Sequence, residues 1–271
     1  MHQPSIPPEP TERLRRIIER ESGITISPDK QALLRARLGK RLRALGLKDL
    51  ESYADLVSNP AHKAEVSHLL SAITTNHTAF FREGHHFDIL RDDYQARAKK
   101  LFSPYRVWSA GCSTGQEPYS IAMVLDMLQD GKAPGFRINA SDIDETALAT
   151  AEAGIYEERE ISTIPADIRN RYFSPASDGL FSIDKRLRLS MRFDRVNLHA
   201  DWPVRGPFDA VFCRNVMIYF DRASQEVLWQ RIADILRPGG LMFIGHSESL
   251  PVALRNSMEI VNSTTYRRPL A

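Results

Sequence analysis

The sequence predicts an α/β protein in which an all-α segment precedes a doubly wound, mostly parallel sheet. Three observations carry this reading. From Thr11 to about Ile73 the apolar spacing is helical and no stretch reads as a strand. After Arg82 short apolar strands alternate with helical stretches, which is the pattern of a parallel sheet wound on both faces. Between the first such strand and its helix lies Gly111-Cys-Ser-Thr-Gly115, whose glycines allow a tight turn and the close approach of a nucleotide-sized ligand.

Taken in chain order, the Pro-rich residues 1–10 read as a flexible tail, residues 11–80 as a helical domain and residues 81–271 as the α/β domain. Ser27-Pro28-Asp29 combines a capping hydroxyl, a Pro at the first position and an early acid, which starts a helix. That helix runs to Leu45, and Gly46 stops it. Leu34, Leu38, Leu42 and Leu45 form one apolar stripe. Around it stand Lys30, Arg35, Arg37, Lys40, Arg41 and Arg43, and no acid interrupts the run from Lys30 to Lys48. In the second half, Arg106–Ser109, Phe136–Ala140, Phe208–Cys213 and Leu241–Gly245 read as strands, while Tyr119–Leu128 and Ser224–Leu236 read as helices. Residues 157–195 interrupt this rhythm. Phe181, Ile183, Leu187, Leu189, Met191 and Phe193 alternate strictly about Asp184-Lys185, which predicts a small antiparallel hairpin with Arg186, Arg188 and Arg192 on its solvent face.

Composition narrows the classes of function. A chain of 271 residues has room for one large or two modest domains. A net charge of +2 gives no whole-molecule attraction to nucleic acid. Cys112 and Cys213 match neither a metal spacing nor a disulfide framework and read as buried thiols. Neither a signal-peptide core nor a spanning apolar stretch is present, so a cytoplasmic, reduced protein without membrane insertion is expected.

The glycine loop lacks the third glycine of the dinucleotide fingerprint G-x-G-x-x-G, and Glu117 follows it. A carboxylate at a helix start is a poor neighbour for a phosphate and a good one for a cation. That turns the reading from a nicotinamide dinucleotide to S-adenosylmethionine, which carries a sulfonium and an ammonium. Asp142, at the end of the next strand, stands where an acid accepts hydrogen bonds from ribose hydroxyls. It could instead cap the following helix, as could Asp144; its distance from the glycine loop favours the ribose. Arg237-Pro-Gly-Gly240 before the last strand is compatible with the same class of cofactor fold.

The segments Thr75-Asn-His-Thr-Ala-Phe-Phe-Arg-Glu83, Ser109-Ala-Gly-Cys-Ser-Thr-Gly-Gln-Glu-Pro-Tyr-Ser120, Ala140-Ser-Asp-Ile-Asp144 and Phe212-Cys-Arg-Asn-Val-Met-Ile-Tyr-Phe-Asp221 resemble the chemotaxis receptor methyltransferase family of the CheR type. Gly245-His-Ser-Glu248 and Tyr266-Arg-Arg268 fit the same family. The resemblance implies a Rossmann-like class I S-adenosylmethionine-dependent methyltransferase domain with a small antiparallel β-subdomain, behind an all-α N-terminal domain. It implies transfer of a methyl group to glutamate carboxylates on the cytoplasmic helices of methyl-accepting chemotaxis receptors, leaving S-adenosylhomocysteine. By match to the family motifs, Asn76, Thr78, Arg82, Gly111, Glu117, Asp142, Asn197, Leu198, Arg214 and Asn215 would hold the cofactor, with Glu117 near its methionine part, Asp142 at its ribose, and Leu198 with the Asn197 backbone near its adenine. Some members bind a receptor's C-terminal peptide through the β-subdomain. A monomer is expected.

The chemistry of the residues agrees. A carboxylate is already ionised at neutral pH and needs no general base; it needs orientation against the methyl. Arg82 can grip a carboxylate with its planar fork and Tyr219 can donate a hydrogen bond, so these two are the candidates for positioning the substrate. An aromatic packed after a strand remains the alternative for Tyr219. The basic helix suits nucleic acid, an acidic membrane or a Glu-rich protein surface. The family resemblance favours the last, with Arg35, Arg37, Lys40, Arg41 and Arg43 steering docking. His85, His86 and His246 invite a metal, but no Cys or acid cluster completes a set and none is expected. A base methyltransferase would need a Pro pair where Cys213-Arg-Asn-Val216 stands. A non-catalytic cofactor-binding module is the other alternative.

Overall fold

A computed structural model describes residues 9–27, 31–98, 102–129 and 135–270. Most of the proposed tail, residues 1–8, and the Pro28-Asp29 helix start lie outside the described residues. The N-terminal part is helical: α1 (Pro10–Ser22), α2 (Gln31–Leu45), α3 (Leu50–Ser58) and α4 (Lys63–Ile73). Pro10 is therefore not tail but the first residue of α1, where its missing N–H costs nothing. Leu34 and Leu38 of the expected stripe are buried with Leu14, Ile18, Tyr53 and Leu69, whereas Leu45 is 36 % exposed. The stripe ends a turn early, at Leu45, which is the last residue of its helix.

The remainder runs α5 (His85–Ala98), β1 (Tyr105–Ala110), α6 (Gln116–Met127), β2 (Phe136–Asp142), α7 (Glu145–Ala153), β3 (Ile155–Glu157), α8 (Glu158–Ile161), α9 (Ala166–Tyr172), β4 (Phe173–Pro175), β5 (Leu180–Ile183), α10 (Lys185–Leu189) and β6 (Met191–Arg195). It closes with β7 (Phe208–Cys213), α11 (Arg222–Asp234), β8 (Leu236–Ile244), α12 (Val252–Asn256), β9 (Glu259–Asn262) and β10 (Thr265–Arg267). The main sheet has the order β6-β2-β1-β7-β8-β10-β9, parallel from β6 through β8 and antiparallel at β10 and β9. Side chains alternate between its faces: Val107, Ala210, Phe212 and Phe243 pack with α5 and α6 on one, while Trp108, Val211, Cys213 and Met242 pack with α11 on the other. Both thiols are buried and unpaired, as expected. Strand order reverses between β2 and β7 around β1, so the carboxyl ends of these strands open onto a crevice at the switch point.

The hairpin expected over 181–193 is not formed. β5 pairs antiparallel with β3 and β4 in a separate three-stranded sheet, and β6 is the edge of the main sheet, parallel to β2. Between them Asp184 accepts a hydrogen bond from Arg186 N and caps α10. Ile183 and Leu187, four residues apart, then face the core together, and Leu189 is left 72 % exposed. Arg186, Arg188 and Arg192 consequently share no strand face: Arg186 pairs with Asp184, Arg188 donates to Ala153 O and Arg192 pairs with Asp194. Pro238-Gly-Gly240 likewise lies within β8, at an irregularity in its pairing with β7, and not in a turn before the strand.

Candidate active site

The β1–α6 loop forms the floor of the crevice. Gly111 has φ of 78°, and a Cβ there would stand 2.3 Å from Val216 Cγ2; Gly115 has φ of 98° and caps α6. Gly111 N and Cys112 N both donate to Ser141 O, at 2.8 and 2.9 Å, which ties the loop to the end of β2. Ser113, itself at φ of 50°, donates its N–H to Asp142 Oδ2 at 2.8 Å and leaves a buried hydroxyl without a partner.

Above this floor lies a cleft of about 930 Å³, including the space open to solvent. Asn76, Thr78 and Arg82 line it from the chain after α4, Gly111 and Glu117 from the loop and α6, and Asp142 from β2. Asn197 and Leu198 line it after β6, and Arg214, Asn215 and Tyr219 after β7. Every expected cofactor and substrate-positioning residue therefore meets in one cavity. Ser22 and Ile24, at the end of α1, contribute to its wall.

The inner wall is charged. Arg214, its side chain 2 % exposed, lies 3.2 Å from Glu117 and 3.4 Å from Glu83, and donates to Arg82 O at 2.6 Å. Two carboxylates thus share one guanidinium, and of the two Glu117 lines the cleft. Burial pushes the Glu117 carboxyl above its ordinary value, against the pull of Arg214 and of the Ser109 hydroxyl. Burial acts on Glu83 in the same sense but is outweighed by Arg214 and by the His246 hydrogen bond, which hold it below its ordinary value. A carboxylate such as Glu117 on the cleft wall is a good neighbour for a cationic ligand and a poor one for a phosphate.

Asp142 and Asp144 divide the two roles the sequence left between them. Asp144 caps α7, accepting from Thr146 N at 2.9 Å, and also accepts from Ser71 Oγ and Asn76 Nδ2, both at 2.6 Å. Asp142 lines the cleft, its two oxygens accepting from the N–H groups of Ser113 and Asp144, and no side-chain donor among the described residues occupies its remaining lone pairs. Asn197 and Leu198 both line the cleft, and the Asn197 side chain is tied to the end of α1, its Nδ2 donating to Glu21 O at 2.8 Å.

Arg82 donates once, to His77 O at 3.1 Å, and the Tyr219 hydroxyl has no partner among the described residues. Both stand in a strained frame. Phe81, Glu83, Ser113 and Asn215 are non-glycine residues with φ between 50° and 61°, and all four belong to segments that build this site. Backbone strain concentrated in this way marks a functional site.

The other expectations fare differently. In α2, Arg35 pairs with Glu9, Arg37 donates to Ile73 O and to Thr75 Oγ1, and Arg41 grips Glu65 at 2.5 and 2.7 Å. Only Lys40 and Arg43 are exposed without an ion-pair partner among the described residues. The histidines do have an acid neighbour: ligand atoms of Glu83, His85 and His86 lie within 4.8 Å of one another, because the turn after Arg82 folds Glu83 back over α5. His86 is fully buried, and burial, with Arg214, pushes it down to about 3, so it is neutral. The sequence alone points to no role for Glu83, Glu248 or Ser113, and to none for Asp144 beyond a helix cap. The φ values at Glu83 and Ser113 leave no mark on residue type, and Glu248 is visible only as part of Gly245-His-Ser-Glu248.

A Rossmann-like sheet with a glycine loop after β1 and the acids Glu117 and Asp142 on the cleft at its switch point has the architecture of a class I S-adenosylmethionine-dependent methyltransferase. The family description "CheR methyltransferase, SAM binding domain" matches residues 76–267, and "CheR methyltransferase, all-alpha domain" matches residues 10–74. The chain is 40% identical over 259 residues to a probable chemotaxis protein methyltransferase of Rhizobium etli, covering 93% of this chain and 96% of that one. It is 43% identical over 243 residues to the chemotaxis protein methyltransferase of Escherichia coli, covering 88% and 83%. It is 38% identical over 262 residues to chemotaxis protein methyltransferase 2 of Pseudomonas aeruginosa, covering 95% and 92%. The chain belongs to the CheR methyltransferase family, and it is an S-adenosylmethionine-dependent methyltransferase of chemotaxis. No described helix is long and apolar enough to cross a membrane.

Proposed function

We propose that this enzyme methylates glutamate side chains on the cytoplasmic helices of chemotaxis receptors, giving glutamate methyl esters. The observation that carries the reading is that Arg82, with a single hydrogen bond to His77 O, and the Tyr219 hydroxyl, without a partner among the described residues, line the same cleft as the Glu117–Arg214 pair. S-adenosylmethionine supplies a methyl carbon on a positively charged sulfur, so that a C–S bond breaks as a C–O bond forms. Glu117 attracts the cationic end of the cofactor, Asp142 accepts from its ribose, and Leu198 packs near its adenine. Asn76, Thr78, Gly111, Asn197, Arg214 and Asn215 complete the cofactor site. Arg82 and Tyr219 hold one oxygen of the substrate carboxylate while the other faces the methyl, and no residue needs to remove a proton.

Lys40 and Arg43 serve as docking charges toward the Glu-rich receptor helices, a role that leaves Arg35, Arg37 and Arg41 to the fold. The proposed state is a monomer, and the substrate would put the enzyme in the cytoplasm. The test is incubation with labelled S-adenosylmethionine and receptor cytoplasmic fragments, followed by base treatment. Release of labelled methanol is expected; no release from any receptor fragment would overturn the reading.

A further inference from the structure

We propose that Glu248 is a positioning residue for methyl transfer, its carboxylate filling a backbone anion nest that holds Asn215 and Tyr219 against the cleft. The chain leaving β7 turns sharply. Asn215 has φ of 61° and Val216 has φ of -113° and ψ of -43°, a left-handed residue followed by a right-handed one. Successive N–H groups in that conformation converge and form a concavity for an anion. The anion here is internal. Glu248 Oε1 accepts from Val216 N at 2.9 Å and Met217 N at 2.8 Å; its Oε2 accepts from Asn215 N at 3.0 Å and Gly245 N at 2.6 Å.

One carboxylate thus satisfies three consecutive N–H groups of the cleft wall and a fourth from the end of β8. The turn that follows, Met217–Tyr219, carries Tyr219, and Gln225 Nε2 holds its far side by donating to Met217 O and Phe220 O, both at 2.9 Å. Val216, between the two, fills the space left by the missing Cβ of Gly111. Emptying the nest would leave three converging N–H dipoles unpaired, and the left-handed conformation of Asn215 would lose what holds it. Gly245 belongs to the same device: a Cβ there would stand 2.6 Å from Asn215 Nδ2 and 2.9 Å from Glu248 Oε2.

The inference rests on the proposed roles of Asn215 and Tyr219 in the cleft. Glu248→Gln keeps the side-chain shape but turns an amide NH₂ toward two backbone donors. It is expected to weaken S-adenosylhomocysteine binding and to lower kcat, each by about 10- to 100-fold, as a misplaced reacting group does. KM for the receptor fragment should change less than kcat, since the docking charges of α2 lie elsewhere. Gly245→Ala, which perturbs the same loop by another route, should give the same pattern, and the double variant should lose less than the sum of the two. Leu254→Ala in α12 is the comparison for plain destabilisation: it should lower the melting temperature and leave S-adenosylhomocysteine affinity unchanged below the transition. Wild-type affinity and kcat in Glu248→Gln, or losses that follow only its folded fraction, would overturn the role of Glu248 while the proposed function stands. A wild-type protein that binds S-adenosylhomocysteine but esterifies no carboxylate would overturn both.

Discussion

Asn76 donates its side-chain N–H to Asp144 across 2.6 Å, joining the chain that leaves the last N-terminal helix to the residue that caps α7. Ser71 donates to the same carboxylate, so a single buried acid fastens the helical segment to the sheet beside the cleft. Burial alone would raise the Asp144 carboxyl, but the hydrogen bonds from Ser71, Asn76 and the α7 backbone outweigh it and hold it below its ordinary 3.8. The stabilisation from a depressed carboxyl is complete above the unfolded-state value and is lost as pH falls through the folded one. Asp144→Ala should therefore melt below wild type at neutral pH, losing about 1 kcal/mol for the cap alone. Thermal scans should show the gap closing as pH drops below the ordinary carboxylate range; a constant gap would refute the argument.

Glu117 has the opposite sign. With its carboxyl raised by burial, the folded protein holds that proton to higher pH than the unfolded chain does. Stability falls as pH rises between the unfolded and the folded value, and the cost is complete above the folded one. Glu117→Gln removes this cost, and Glu83 remains to pair Arg214, so its melting temperature at neutral pH should be no lower than that of wild type. Calorimetry should show S-adenosylmethionine binding weakened by roughly 10-fold or more, the worth of a hydrogen bond to a charged group. Wild-type affinity should also decline as pH drops toward the raised Glu117 value, and Glu117→Gln should lack that decline.

Tyr219 separates affinity from turnover. Its ring packs against the core beside β7 and also against the helical core, while its hydroxyl is uncommitted among the described residues. Tyr219→Phe keeps the packing and removes one donor, so the melting temperature and S-adenosylhomocysteine affinity should hold. Receptor methylation should fall roughly 10-fold or more. If kcat is retained, Tyr219 is a packing residue. Arg82→Lys keeps the charge and loses the planar fork, so it should lower kcat more than it raises receptor KM.

The sequence reveals the parts of this molecule whose cause is local. Gly111 and Gly115 announce a loop that only glycines allow, and Phe208–Cys213 is apolar but for Asp209 because both its faces are buried. Asp142 is legible because its place, at the end of the second strand after such a loop, is set by chain order. What stayed hidden depends on distant partners. Strict alternation from Phe181 to Phe193 is compatible with a hairpin, and only the burial of Ile183 beside Leu187 decides for a helix turn. Arg37 and Arg41 look like free surface charges until α4 brings Ile73 and Glu65 beneath them. Glu248 and the loop it fills are 31 or more residues apart, a pairing that spacing cannot announce.

That concealed packing changes how docking through α2 is tested. Reversing Arg41 removes both hydrogen bonds to Glu65, a carboxylate that otherwise keeps the Tyr53 hydroxyl at 2.9 Å, and it costs on the order of 2 kcal/mol in stability. A slower enzyme would then say nothing about the receptor. Lys40 and Arg43 are exposed and make no ion pair among the described residues, so Lys40→Glu with Arg43→Glu isolates the long-range charge. Surface charges act on encounter, and salt screens them over about 10 Å at 0.1 M. The double variant should methylate receptor fragments severalfold more slowly than wild type at low salt, and the difference should shrink as salt is raised. Its melting temperature and S-adenosylhomocysteine affinity should match wild type. An unchanged rate at low salt would remove α2 from the docking surface, and a deficit that salt leaves untouched would mean that the two side chains make a direct contact instead of steering the approach.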